Sequence, residues 1–200
     1  MKYYYSINHK FEAGCDEAGR GALAGPVVAA SVILDKRFSH PDINDSKKIN
    51  KKKRNELRLI IEKEAISWSV AFIFQNEIDQ INILNASILA MHKALNNLSI
   101  QPDFILVDGN KFKPYKNTPY KTIVRGDSHF LNIAAASILA KTHRDEYMKK
   151  IHEEYPAYGW NNNKGYPTQK HREAIKKHGI THHHRKTFNL LPPLQLKLDF

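Results

Sequence analysis

Acidic residues are in short supply in this chain: 20 Asp and Glu face 31 Lys and Arg, a formal net charge of +11 over 200 residues. A surplus of that size fits a polyanionic partner, nucleic acid before membrane, or a solvated basic surface, and charge alone does not separate the two. Cysteine is nearly absent. Cys15 is the only one, so no intrachain disulfide can form, which suits a reducing compartment and leads us to expect a cytoplasmic protein. Met1 to Lys10 holds three tyrosines and no apolar centre, and does not read as a signal peptide. No apolar run approaches the length of a bilayer span, and no internal repeat is found. What remains, 42% hydrophobic and 26% charged, is ordinary for a globular protein. The length suits one domain, read as residues 1–188, followed by a tail at 189–200.

The pattern along the chain alternates between strand and helix. Residues 11–18 read as a first strand and 26–34 as a second, separated by the turn signal Gly25-Pro26. Lys47, Lys48 and Lys51 to Arg54 place six basic residues within eight positions, just where Asn50 can cap a helix from 51 to about 65. Cations oppose the dipole at that end, and a nearby phosphate would relieve the conflict. Leu57, Ile60 and Ile61 are the buried face expected of that helix. A third strand is expected at 66–74. Two helices follow between Asn76 and Asn97, broken near Asn82–Asn85. Phe104 to Val107 is wholly apolar, as in a strand covered on both faces, and Tyr120 to Val124 reads as a fifth strand. Asp127 or Ser128 is the expected cap of a long helix whose start, Ile133 to Ala140, is rich in small residues. That helix should stop before Pro156. An irregular loop at 156–167 and a last helix, from the cap Thr168 to His178-Gly179, complete the reading.

Acids stand at strand ends: Asp16 and Glu17 on the first, Asp108 on the fourth and Asp127 just past the fifth. A sheet brings strand ends together, so the four could share one site. Four carboxylates repel one another without cations. All-oxygen ligation selects Mg²⁺ or Mn²⁺ over zinc, and carboxylates holding two such ions are the usual apparatus of in-line phosphodiester cleavage. Singly, each acid has a plainer reading: Asp108-Gly109-Asn110 as a turn, Asp127 as a cap, Asp145 as a partner of Arg144 or Lys149. Asp145 lies about five helical turns past Asp127 and is read as structural.

Cys15-Asp-Glu-Ala-Gly-Arg-Gly-Ala-Leu-Ala-Gly-Pro-Val27 resembles the first motif of the type 2 ribonucleases H, specifically bacterial ribonuclease HII. The stretches Asp45–Lys48, Val107–Asn110, Lys121–Asp127, Ala134–Asp145, Gly165–Thr168 and His184–Phe188 match later motifs in order, so that the resemblance covers about residues 11–188. It implies an α/β ribonuclease H-like fold, a mixed five-stranded sheet flanked by helices, with a C-terminal helical region. It implies an endonuclease that cuts the RNA strand of RNA–DNA hybrids, and that cuts 5′ of single ribonucleotides embedded in duplex DNA, leaving 3′-hydroxyl and 5′-phosphate ends. By the same resemblance Asp16, Glu17, Asp108 and Asp127 fall on the metal-binding catalytic acids, and Gly19, Arg20 and Gly21 on the ribonucleotide-sensing loop. Tyr166 falls on the tyrosine that packs on the sugar at the RNA–DNA junction, and Lys47 on a phosphate-contacting lysine. These roles are physically reasonable: RNA is told from DNA by its 2′-hydroxyl, which glycine backbone can approach closely.

Two features stand apart. His182-His183-His184 cannot readily converge on one ion and is read as a basic surface segment. The tail from Gln195 to Phe200 resembles short peptides that bind the bacterial sliding clamp, and equally suits a tail packed on the core. The sister type, ribonuclease HIII, carries a further N-terminal domain, for which about ten residues before the first strand leave no room. A non-catalytic nucleic-acid-binding module would leave the strand-end acids without a task. A small-substrate phosphatase would leave the basic surplus unexplained. A monomer is expected.

Overall fold

Strand β1 (Glu12–Ala18) is the axis of the sheet: β2 (Val27–Ile33) pairs with it antiparallel, and β4 (Phe104–Asp108) pairs parallel on the other side. Strand β3 (Ser67–Ile73) adds antiparallel to β2, and β5 (Tyr120–Ile123) adds parallel to β4, giving the order β3-β2-β1-β4-β5. This is the mixed five-stranded sheet expected from the sequence. The computed structural model describes residues 1–2, 4–6, 8–43 and 49–191. Lys47 and the tail segment from Gln195 to Phe200 therefore lie outside the described residues.

Side chains of β1 alternate between two apolar layers, as the period of a strand requires. Ala13 and Cys15 pack with helix α2 (Gln75–Asn96), among Ile78, Ala86, Met91 and Leu95. The opposite face packs on α1 (Lys51–Glu64) and α3 (Leu131–Glu154), where Leu57, Ile61, Ala134, Ala135 and Ile138 are buried. Gly14 sets how close α3 can come: a Cβ there would run into the backbone of Asn132 and Ile133. Asn132 uses that approach. Its amide donates to the Glu12 carbonyl at 2.8 Å, and its side-chain oxygen accepts from Leu34 N–H at 3.2 Å, so a buried polar group is satisfied at both ends.

Helix α1 starts where expected, with Asn50 accepting from Lys53 N–H at 2.9 Å. Of its proposed apolar face, Leu57 and Ile61 are buried and Ile60 only partly. The break expected near Asn82 is present as a kink, Asn82 having φ 64° and ψ 164°. Its side-chain oxygen accepts from Asn85 N–H at 3.1 Å and so restarts the helix.

Three expectations fail. Neither Asp127 nor Ser128 caps α3: both lie in a short 3₁₀ turn, Gly126–Ser128, and the helix begins after Phe130 with no side-chain cap. There Phe130 N–H and Ala134 N–H are bonded to Gly126 O and Phe130 O, so backbone does the work of a cap. The stretch 156–167 is not wholly irregular, holding a 3₁₀ turn (Pro156–Tyr158) and the one-turn helix α4 (Trp160–Asn163) ahead of α5 (Gln169–His178). His183 and His184 are not a basic surface: both are buried, His183 against Trp160 and Tyr155, and His184 against Trp160 and Tyr158. Burial, then neighbouring imidazoles, holds His184 down to about 4, so its ring is neutral.

Candidate active site

The parallel register places Cys15 opposite Val107, so Asp16 and Asp108 leave neighbouring strands at the same level. Glu17, next on β1, turns to the other face. All three reach one cleft of about 250 Å³. Its other walls are Gly19, Arg20 and Gly21, the Lys141 side chain from α3, and Tyr166. Seven of the nine residues singled out from the sequence thus meet in one place. Asp127 does not line this cleft. It is buried within its 3₁₀ turn, one residue after Gly126, whose N–H donates to Asp108 Oδ1 at 2.7 Å.

The acids carry a charge conflict. Burial, then repulsion from Asp108, raises the Asp16 carboxyl to about 6, against relief from Lys141. Burial, then repulsion from Asp16, raises Glu17 to about 7, against relief from Arg20. The relieving cations are close: Lys141 Nζ lies 3.6 Å from Asp16 Oδ2, and Arg20 Nη1 lies 3.2 Å from Glu17 Oε1. Lys141 also donates to Ser137 Oγ. Among the described residues no group of three acids, histidines or cysteines stands ready to hold an ion. The donor chemistry nonetheless fits a hard divalent cation: the acids offer only oxygen, Asp16 and Glu17 are held at the cost of raised protonation, and an ammonium group already stands where positive charge is needed.

The loop after β1 is shaped by close approach. Gly19 has φ +92°, and a Cβ there would strike the Arg144 guanidinium. A Cβ on Gly21 would just touch the Tyr166 ring, 4.0 Å from Cε1. Tyr166 is 40% exposed and presents one face to the Arg144 guanidinium carbon at 5.4 Å from the ring centroid. Its backbone oxygen is held by His171, whose Nδ1 donates at 3.0 Å. That tautomer follows from Trp160, because Nε1–H can only donate and gives its proton to His171 Nε2 at 3.0 Å.

Sequence reasoning missed Lys141, Arg144 and Arg185. A signal existed: Ser137, Lys141, Arg144 and Met148 recur at three- and four-residue steps on α3, one stripe aimed at the end of β1. Asp145, next to Arg144, lies on a separate groove with Lys51, Arg58 and Lys149, in keeping with a structural role. Cys15 is a core residue, its thiol pushed up to about 12 by burial.

Comparison with known proteins bears on the whole chain. The family described as Ribonuclease HII matches residues 13–191. A ribonuclease HII of Christiangramia forsetii is 62% identical over 188 residues, covering 94% of both chains. The crystal structure of the ribonuclease H2 of Pyrococcus horikoshii superposes with a TM-score of 0.78 at 26% identity, over 90% of this chain and 94% of that one. A ribonuclease HIII solved in complex with Mn²⁺ shares the fold, with a TM-score of 0.73 at 16% identity, over 90% of this chain and 67% of that one. This chain therefore belongs to the ribonuclease HII family, and is a metal-dependent endoribonuclease of the type 2 ribonuclease H class.

Proposed function

We propose that the protein hydrolyses the RNA strand of RNA–DNA hybrids and cuts 5′ of single ribonucleotides embedded in duplex DNA, leaving 3′-hydroxyl and 5′-phosphate ends. Its task would be removal of ribonucleotides from DNA during repair and replication, as a cytoplasmic monomer. One observation carries the reading: strand-end carboxylates Asp16, Glu17 and Asp108 share a cleft with the Gly19–Gly21 loop and Tyr166.

In this reading Asp16, Glu17, Asp108 and Asp127 hold two Mg²⁺ or Mn²⁺ ions. Asp127 would join by a shift of its turn, which already hangs from Asp108 through Gly126 N–H. Bound cations supply a hydroxide nucleophile and charge neutralisation at the scissile phosphate. The chain's own residues do the rest. Arg20, half exposed, exchanges its contact with Glu17 for a neighbouring phosphate. The Gly19–Gly21 backbone meets the 2′-hydroxyl, and Tyr166 offers its open face to the sugar of the following deoxynucleotide. Lys47, outside the described residues, would bind a phosphate, and the segment Gln195–Phe200 would engage a sliding clamp. The basic surplus holds the duplex against a locally acidic cleft.

The test is cleavage of a DNA duplex carrying one ribonucleotide, with and without Mg²⁺ or Mn²⁺, beside an all-DNA control. A single metal-dependent cut 5′ of the ribonucleotide is expected. Folded protein that leaves the duplex whole with either ion would sink the proposal.

A further inference from the structure

Two arginines lie wholly inside the molecule, Arg144 at 2% exposure and Arg185 at 0%. Among the described residues neither forms an ion pair, although a buried guanidinium normally sits beside a carboxylate. Their donors go instead to backbone carbonyls. Arg185 donates to Gly19 O at 2.8 Å, Arg20 O at 2.9 Å and Gly25 O at 3.0 Å. Arg144 donates to Pro26 O and Lys164 O at 2.9 Å and to Ala24 O at 3.3 Å, and its guanidinium underlies the Tyr166 ring. Backbone bonds tie the same segments: Leu23 N–H to Gly165 O at 2.7 Å, and Arg185 N–H to Leu23 O at 2.9 Å. From below, Asp79 fixes the segment after Arg185 by accepting from Lys186 N–H and Thr187 N–H at 2.9 and 3.0 Å.

The fold therefore spends two buried cations on holding two loops that are far apart in the chain. One carries Gly19, Arg20 and Gly21. The other carries Tyr166. A fork of planar donors fixes carbonyl positions in a way that a single apolar contact does not. With both Gly19 O and Arg20 O drawn inward, the groups of this loop that meet a ligand are selected by Arg185. With its ring laid on Arg144, Tyr166 has one face left for a sugar.

We infer that Arg144 and Arg185 are positioning residues that set the separation between the Gly19–Gly21 loop and Tyr166, and through it the enzyme's preference for a lone ribose followed by a deoxyribose. This rests on the reading under Proposed function. It departs from a purely structural role because the two residues should govern which substrate is cut, beyond whether the protein folds.

The experiment compares wild type, Arg144→Lys and Arg185→Lys on two Mg²⁺-dependent substrates, a duplex with one ribonucleotide and a duplex with a long ribonucleotide run. Lysine keeps the charge and loses the fork. We expect kcat at the single ribonucleotide to fall at least about tenfold, with KM and duplex binding within about threefold, and with a clearly smaller loss on the long run. A double-mutant cycle with Tyr166→Ala should be non-additive: Arg144→Lys should cost little once the ring is gone. Should a lysine variant fail to fold, Gly165→Ala moves the same loop with both arginines intact, since its Cβ would meet the Ala24 carbonyl, and the same split is expected. Equal losses on both substrates, or full additivity with Tyr166→Ala, would overturn the inference. A wild type that does not cut at the single ribonucleotide would overturn the proposed function itself.

Discussion

Replacing Asp16 by asparagine should make the metal-free protein more stable and inactive at once. The structure supplies the size of the effect. Asp16 is held at about 6 by burial and by Asp108, against 3.8 for an ordinary aspartate. At 1.36 kcal/mol per pKa unit, keeping it charged in the fold costs up to about 3 kcal/mol above pH 7. Glu17, held at about 7 by burial and by Asp16, relaxes as well once Asp16 is neutral. Against this, Lys141 loses its partner, which at 20% exposure it can partly replace with water. The net gain expected for Asp16→Asn at pH 8 is about 1–3 kcal/mol, or a rise in Tm of about 3–10 °C for a chain of this length. The sign follows from raised carboxyl pKa values. Their contribution to stability is fully present below the unfolded values near 4 and is lost as pH rises through about 6 and 7. The gain should therefore shrink toward zero at pH 4.5. Mg²⁺ should raise the wild-type Tm more than that of the variant, because only wild type keeps the full acid set. The assays are thermal and urea unfolding at pH 4.5 and 8, with cleavage measured alongside. A variant less stable than wild type at pH 8, or one that still cuts, would refute the reasoning.

Other expectations are simpler to read. Gly14→Ala should cost more than about 3 kcal/mol in urea unfolding, because its Cβ meets the backbone of α3 rather than a movable side chain. Tyr166→Ala and Arg20→Ala, both at exposed positions, should leave Tm within about 2 °C of wild type while cutting at a single ribonucleotide falls by tenfold or more and duplex binding by less; equal loss in both assays would remove their sensing role. His184, depressed to about 4 by burial, contributes stability that is present above its unfolded value near 6.5 and lost as pH falls through about 4. Between pH 7 and 4.5 the urea midpoint of His184→Gln should thus fall less than that of wild type, and a larger fall would show that the ring is protonated in the fold.

What could be read from residues alone was whatever is encoded locally. Strands β2 to β5 contain β-branched residues, β1 ends ahead of the turn signal Gly25-Pro26, and Asn50 and Thr168 cap helices by contacts three residues away. The cleft was readable for a related reason: strand ends are local features, and the parallel pairing of β1 with β4 brings Asp16 and Asp108 to the same level. The failures share the opposite cause. Asp127 looks like a cap because aspartate before an apolar run usually is one, yet the turn is tied to Asp108, eighteen residues earlier, through a backbone N–H that carries no sequence signature. His183 and His184 look basic because the charge of a histidine depends on burial, and burial here comes from Trp160, Tyr155 and Tyr158. The α3 stripe points Arg144 toward the end of β1, but what Arg144 and Arg185 hold was hidden for the strongest form of the reason. Their partners are carbonyls, which every residue possesses, so no residue type at any spacing announces them. An ion pair leaves two complementary letters in a sequence, whereas a guanidinium on backbone leaves one. Buried cations of this kind will be found only by asking of each interior arginine which chain segments its donors join, and here they join the two loops that flank the acids.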